Sequence, residues 1–236
     1  MEISDFRASY LFDGITGEQL PEEMIKAMRS FISAENLYVS AAREIVTKFE
    51  NLNSEFKYTY ERNPIHSINA RAKTPASIVR KLQRNGLQLT VDSARKHLTD
   101  LAGVRVICSY VDDIYRVKDM LLSQDDVTLV RMSDYIKNPK PNGYRSLHLI
   151  VTVPVFQATK TEIVAVEIQI RTIAMDFWAS LEHELAYKLE EKDRKSASKE
   201  LKACADEIAS LDIKMQNLYN ISISETESGI APNKNR

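Results

Sequence analysis

Cysteine is scarce in this chain, with only Cys108 and Cys204 in 236 residues. Two distant thiols cannot staple a small secreted scaffold, and no Cys-x-x-Cys spacing offers a zinc or redox pair. Both read as buried thiols in a reducing cytosol, which makes the expected location cytoplasmic. Glycine is scarce too, at six residues. Neither Gly-x-x-x-x-Gly-Lys-Ser/Thr nor Gly-x-Gly-x-x-Gly occurs, so the common glycine cradles for phosphate are absent. The four histidines are scattered. His183-Glu184 begins like a zinc-protease motif but lacks the second histidine, which argues against a zinc site. No Gly-x-Ser-x-Gly elbow is present. No apolar run approaches the ~20 residues that span a membrane. The first residues, Met-Glu-Ile-Ser-Asp-Phe, carry no basic segment ahead of an apolar one, so no secretory signal is visible.

What is present is an ordinary globular composition, 44% hydrophobic and 28% charged with net charge −1. The length suits one domain, or two small ones, and a core that needs no disulfides. Residues 19–51 are helix-compatible. Leu20, Met24, Met28, Phe31 and Ile32 follow a 3.6-residue period, and Leu37, Ala41, Ile45 and Phe49 form a second run. Residues 57–69, with Asn63-Pro64, read as a connection. Thr74-Pro75 opens a helix as N-cap and first helical residue, and Asn85-Gly86 closes it. A short helix is expected over 90–101, a strand over 103–111, a helix over 112–122 and a strand over 127–131. A loop over 132–143 precedes strands at 144–153 and 161–171. The short link at 157–160 makes a hairpin, hence a mixed sheet. Thr172 caps a helix to about residue 189, and a last helix covers 199–219. The expected fold is α/β (α+β), a mixed β-sheet flanked by helices. A single domain covers 1–219 with extra helices at both ends, and 220–236 reads as a disordered tail.

Four constellations could carry chemistry. First, residues 62–91 hold six cations and no carboxylate: Arg62, Arg71, Lys73, Arg80, Lys81 and Arg84. With the helix start at Thr74 this suits phosphate, and equally a solvated basic face. Second, Val164, Val166, Ile168 and Ile170 alternate with Glu167, Gln169 and Arg171, which places the polar three on one strand face. That face is either a site or the wet side of a sheet. Third, Tyr144, Ser146 and His148 would share a strand face beside Asn142-Gly143, as a base platform with a phosphate contact or as half-buried sheet residues. Arg145 falls on the apolar side unless it precedes the strand. Fourth, Asp100 stands at a helix end, where a carboxylate calls for a cation.

In order, the segments RAKTPASIVRKL (71–82), DLAGVRVICSYVDDI (100–114), NGYRSLH (142–148) and VEIQIRTIAMDFWASLEHELAYK (166–188) closely resemble the small alarmone synthetases, the stand-alone synthetases of the RelA/SpoT homologue family. The resemblance spans roughly residues 60–190. It implies transfer of the β,γ-pyrophosphate of ATP to the 3′-OH of GDP or GTP, giving AMP and (p)ppGpp, on a fold distantly related to nucleotidyltransferases. Arg71 and Arg105 match the positions that sandwich adenine. Lys73, Ser77, Lys81 and Arg84 fit the ATP phosphates. Asp100 matches the Mg²⁺ ligand, and Glu167 the residue that activates the 3′-OH and shares the metal. Tyr144 matches the guanine platform. His148, Lys140 and Arg145 would face acceptor phosphates, and Gln169 and Arg171 would orient Glu167. No His-Asp pair occurs, so synthesis without hydrolysis is implied. The family also implies a homotetramer. Leu201, Cys204, Ile208, Leu211, Met215 and Leu218 form a 3-4 repeat that suits either a partner chain or the chain's own domain. The alternative is a basic single-stranded RNA-binding module without turnover, with Tyr144 stacking a base. It leaves Asp100 and Glu167 without a purpose, since both repel phosphates unless a metal intervenes.

Overall fold

The computed structural model describes residues 22–59, 62–188 and 191–227. Among the described residues eleven elements follow in the order α1 (Glu22–Thr59), β1 (Ile65–Ala72), α2 (Pro75–Arg84), α3 (Val91–His97), β2 (Ala102–Cys108), α4 (Val111–Leu122), β3 (Thr128–Asp134), β4 (Leu147–Phe156), β5 (Thr161–Thr172), α5 (Ile173–Lys188) and α6 (Glu191–Glu227). The strands form one sheet in the order β1-β2-β5-β4-β3. β2 and β5 run parallel and the other neighbours antiparallel, so the sheet is mixed as expected.

Local chemistry sets several boundaries. The Thr74 side chain accepts from Ser77 N–H with Pro75 behind it, and Gly86 leaves α2 at φ 65°. Thr90 caps α3 through Ser93 N–H, and Thr172 caps α5 through Met175 N–H, each at 3.1 Å. Period-2 alternation makes the sheet two-sided. Val104, Val106, Leu147, Leu149, Val151, Val166, Ile168 and Ile170 are buried in one core with Leu37, Ala41, Ile45 and Phe49 of α1 and Ile114, Val117 and Leu121 of α4. Each such aliphatic group removed from water contributes about 1.5–3 kcal/mol. The opposite face carries the polar residues.

Several expectations are corrected. The connection over 57–69 is instead the end of α1 and a fifth strand, β1. Its sequence IHSINARA has no clean alternation, and the ladder to β2 rather than propensity makes it a strand. The strand expected from Tyr144 starts at Leu147, because Gly143 sits at φ 92° and residues 140–144 turn on themselves through Gly143 N–H to Lys140 O (2.8 Å) and Lys140 N–H to Tyr144 O (3.2 Å). Helix α6 begins at Glu191 and runs to Glu227, so residues 220–227 are helical rather than a disordered tail. Residues 19–21 and 228–236 lie outside the described residues. Arg62 leaves the basic field. It pairs with buried Asp113, a carboxylate 51 residues on, and its guanidinium lies 4.4 Å from the Tyr219 ring of α6. Cys108 is buried as expected, but Cys204 is exposed on α6.

Candidate active site

Cross-strand register writes the site as rows. On the polar face one row runs Asn69, Arg105, Gln169, His148, Ser133 across all five strands, and the next places Arg71, Gly103 and Glu167 side by side. Arg71 and Arg105 are thus diagonal neighbours, with side chains about 7–8 Å apart at their bases, which admits one flat ring between them. A Cβ at Gly103 would meet nothing nearer than Arg71 O at 3.7 Å, so this glycine keeps the floor open rather than relieving a clash. The rows floor a cleft of about 330 Å³ lined by Asn69, Ala70, Arg71, Lys73, Asp100, Gly103, Val104, Arg105, Glu167 and Gln169.

Asp100 stands in the junction between α3 and β2. Lys73 N–H bonds to Leu101 O at 2.8 Å, which seats β1 against that junction. Asp100 Oδ2 accepts from Lys81 Nζ (2.6 Å) and faces Lys73 Nζ (3.1 Å). Burial works against its charge, but these two ammoniums outweigh burial and hold the carboxyl below the usual aspartate range. Its other oxygen, Oδ1, is buried with no hydrogen-bond partner.

Glu167 is reached by a chain of polar contacts. Arg171 Nη2 donates to the Tyr144 hydroxyl oxygen (2.9 Å), leaving that hydroxyl to donate to His148 Nε2 (2.7 Å). The other imidazole nitrogen, Nδ1, faces Glu167 Oε1 at 3.3 Å. Gln169 Nε2 donates to Glu167 Oε2 at 3.3 Å, and Arg171 donates to Gln169 Oε1. The hydrogen bond from His148 is the main reason the Glu167 carboxyl lies below its usual range, against its burial and the repulsion of Asp100. Burial lowers the Arg171 guanidinium and raises the Tyr144 phenol. Asp176, from α5, faces both Arg105 (3.4 Å) and Arg171 (3.3 Å).

The two carboxylates share the cleft and sense each other. No group of three His, Cys, Asp or Glu side chains able to hold a metal occurs among the described residues. An orphaned buried carboxylate oxygen beside a second carboxylate suits a hard cation that takes its remaining ligands from water and phosphate, as Mg²⁺ does.

A profile of the region found in RelA/SpoT proteins matches residues 70–192. The chain is 46% identical over 179 residues to the GTP pyrophosphokinase YwaC of Bacillus subtilis, covering 76% of this chain and 85% of that protein. The chain belongs to the RelA/SpoT family, among its small alarmone synthetases. The crystal structure of small alarmone synthetase 2 from Bacillus subtilis is 44% identical and superposes with a TM-score of 0.71, covering 79% of this chain and 97% of that one. Small alarmone synthetase 1 from the same organism, bound to its product pppGpp, is 36% identical with a TM-score of 0.70, covering 78% and 93%.

The segment matched to RelA/SpoT proteins holds every site residue that the resemblance implies. Arg71, Lys73, Asp100, Arg105, Glu167 and Gln169 line the cleft, and Lys81 reaches it through Asp100. Tyr144, His148, Lys140 and Arg171 gather beside it. Ser77 bonds to Thr74 Oγ1 (3.0 Å) in the first turn of α2, and Arg84 is exposed in the last turn of that helix. Neither lines the cleft. Arg145 turns away from the site. It precedes the strand and donates to Gly143 O, to Ala205 O of α6 (3.1 Å each), and to Asp206 (3.1 Å). These bonds anchor the loop on α6. The sequence reading did not single out Asn69, Tyr135 or Asp176 as site residues. Asp176 lay within a quoted motif. Tyr135 carries no local signal, because only the β3–β4 pairing returns it to Tyr144.

Proposed function

We propose that the cleft transfers the β,γ-pyrophosphate of ATP to the 3′-OH of GDP or GTP. The reading rests above all on one observation: Asp100 and Glu167 face a single cleft walled by Arg71, Lys73 and Arg105, with Tyr144 joined to Glu167 through His148. Arg71 and Arg105 stack on adenine, since planar guanidiniums suit ring faces. Lys73 and Lys81, held by Asp100 in the absence of nucleotide, turn to the ATP phosphates, with Arg84 and Ser77 of α2 as outer contacts. Guanine stacks on Tyr144, beside Lys140 and His148.

Glu167 takes the proton as the 3′-oxygen bonds to the β-phosphorus. The bond from that phosphorus to the α,β-bridging oxygen breaks, and AMP leaves with the oxygen. The hydrogen bonds from His148 and Gln169 keep Glu167 ionised and aimed before the attack. Asp100 and Glu167 would hold Mg²⁺, which when bound supplies charge neutralisation for the transferring phosphates.

The test is incubation with ATP, Mg²⁺ and GDP, GTP or GMP in turn, followed by product separation. Equimolar AMP and a 3′-pyrophosphorylated guanosine nucleotide are expected, and ADP with inorganic phosphate would overturn the reading.

We also propose a homotetramer in the cytoplasm. Ile173, Phe177, Leu181 and Leu185 form an exposed stripe along α5, and Leu211, Met215 and Leu218 another along α6, while α6 docks on its own domain through Ala205 and Asp212. Among the described residues no helix is long and apolar enough to cross a membrane. Light scattering on the purified chain tests the oligomer.

A further inference from the structure

The loop between β3 and β4 closes on its own cation. Lys140 Nζ lies 4.6 Å from the centroid of the Tyr135 ring and 4.9 Å from that of Tyr144. The other groups around Tyr144 are fixed in place. Arg171 is buried and donates to the Tyr144 hydroxyl, and His148 is bonded to both Tyr144 and Glu167. Tyr135 is set by its N–H to Ser146 O (3.0 Å). The preceding Asp134 takes the N–H groups of Ile136 and Lys137 and the hydroxyl of Tyr115, each at 3.0 Å. The Tyr135 ring meets His148 edge-on, 5.2 Å between centroids at 86°. Lys140 differs from all of these. It is exposed, its stem is flexible, and its ammonium can leave.

The Tyr144 ring carries two cations, the buried Arg171 guanidinium at 5.5 Å from its centroid and the exposed Lys140 ammonium, so a purine stacking on the ring displaces the one that is free to move. We propose that Lys140 is a built-in occupant of the purine seat, parked there by Tyr135, and that an incoming guanine nucleotide exchanges its ring contacts for contact with the nucleotide phosphates. The inference rests on Tyr144 being the guanine platform. It makes the Tyr135–Lys140 pair a specificity device. A nucleoside must displace the ammonium without giving it a new partner, whereas a nucleotide brings the partner with it. The site therefore favours phosphorylated guanosine over guanosine by more than direct phosphate attraction supplies.

Equilibrium dialysis of radiolabelled guanosine and GDP against wild type, Lys140→Met, Tyr135→Leu, Tyr135→Phe and Tyr144→Ala tests this, with ATP as the control ligand. Lys140→Met should bind guanosine about two- to fivefold more tightly, the size of one exposed cation–π contact. It should bind GDP more weakly and ATP unchanged. Tyr135→Leu should lower the preference for GDP over guanosine, and Tyr135→Phe, which keeps the ring, should restore it. Guanosine affinity that is unchanged or weaker in Lys140→Met, with guanosine binding lost in Tyr144→Ala, overturns the parked lysine alone. Wild-type guanosine and GDP affinity in Tyr144→Ala overturns the platform reading, and the inference with it.

Discussion

The proposed donor cleft and the proposed acceptor cluster meet at Glu167 but are built differently. In the cleft, Arg71, Gly103, Arg105, Glu167 and Gln169 stand on three hydrogen-bonded strands, so backbone register sets their spacing. In the acceptor cluster, Tyr135, Lys140 and Tyr144 belong to the end of β3 and the loop after it. They are held by turn bonds, by the Arg171–Tyr144–His148 chain and by α6. A ladder places side chains cheaply and rigidly, while a loop needs an outside buttress and can move when a ligand arrives. The half proposed for the triphosphate is therefore placed by the ladder, and the half proposed for the base by a loop and its buttress.

The sharpest break between the halves is at Glu167, where the ladder side holds the proposed base. Glu167→Gln keeps volume but loses both proton affinity and charge, and turnover should fall about 10²–10⁴-fold. ATP binding should fall far less than turnover, because Arg71, Lys73, Lys81 and Arg105 remain, and the melting temperature should drop only slightly, because the side chain is partly open to the cleft. A variant keeping more than about a tenth of wild-type kcat would exclude this role.

Tyr144→Ala tests the loop half. Guanine-nucleotide affinity should drop about 5- to 150-fold, the worth of ~1–3 kcal/mol of stacking, with ATP affinity nearly intact in parallel titrations. An equal loss for ATP would erase the distinction between the two regions.

The buttress is tested at Gly143, where a methyl group would meet the Ala205 Cβ at 2.6 Å on a backbone already at φ 92°. Gly143→Ala should destabilise the protein by about 1–3 kcal/mol in chemical denaturation and raise the KM for the acceptor ahead of that for ATP.

The smallest effect concerns pH. Asp212 on α6 is buried and takes a hydrogen bond from Thr172 Oγ1 (2.6 Å), and burial raises its carboxyl above the usual range. Its stabilising contribution is complete below the unfolded value of about 3.9 and is lost as pH rises through the raised folded value. Asp100 and Glu167, lowered in the fold, behave oppositely. Their contribution is present above the ordinary carboxylate range and is lost as pH falls through their folded values. Asp212→Asn should thus raise the melting temperature modestly at pH 7, with the gain vanishing near pH 3.5. A gain that persists there would show that charge burial is not its cause.

Much of the cleft was legible in the sequence because its determinants are local. The alternation from Val164 to Arg171 fixes which face Glu167 and Gln169 share, since strand side chains repeat every two residues. Thr74-Pro75 and Asn85-Gly86 bracket α2 because caps satisfy orphan backbone groups within three residues. The four ordered motifs named the family on the same residues that line the site. What no local pattern carried was pairing between distant segments. IHSINARA became a strand only because β2 offered an unpaired edge. Arg62 found Asp113, Arg145 found α6, and Tyr135 and Asp176 reached the site only once the sheet had closed. Periodicity and capping, which act over a few residues, settled every element but β1, and the ordered motifs settled the family and nominated the side chains of the proposed site. The tertiary structure alone decided which charges are spent on the fold and which remain for substrate, because a charge pair forms wherever folding brings opposite groups within a few ångströms.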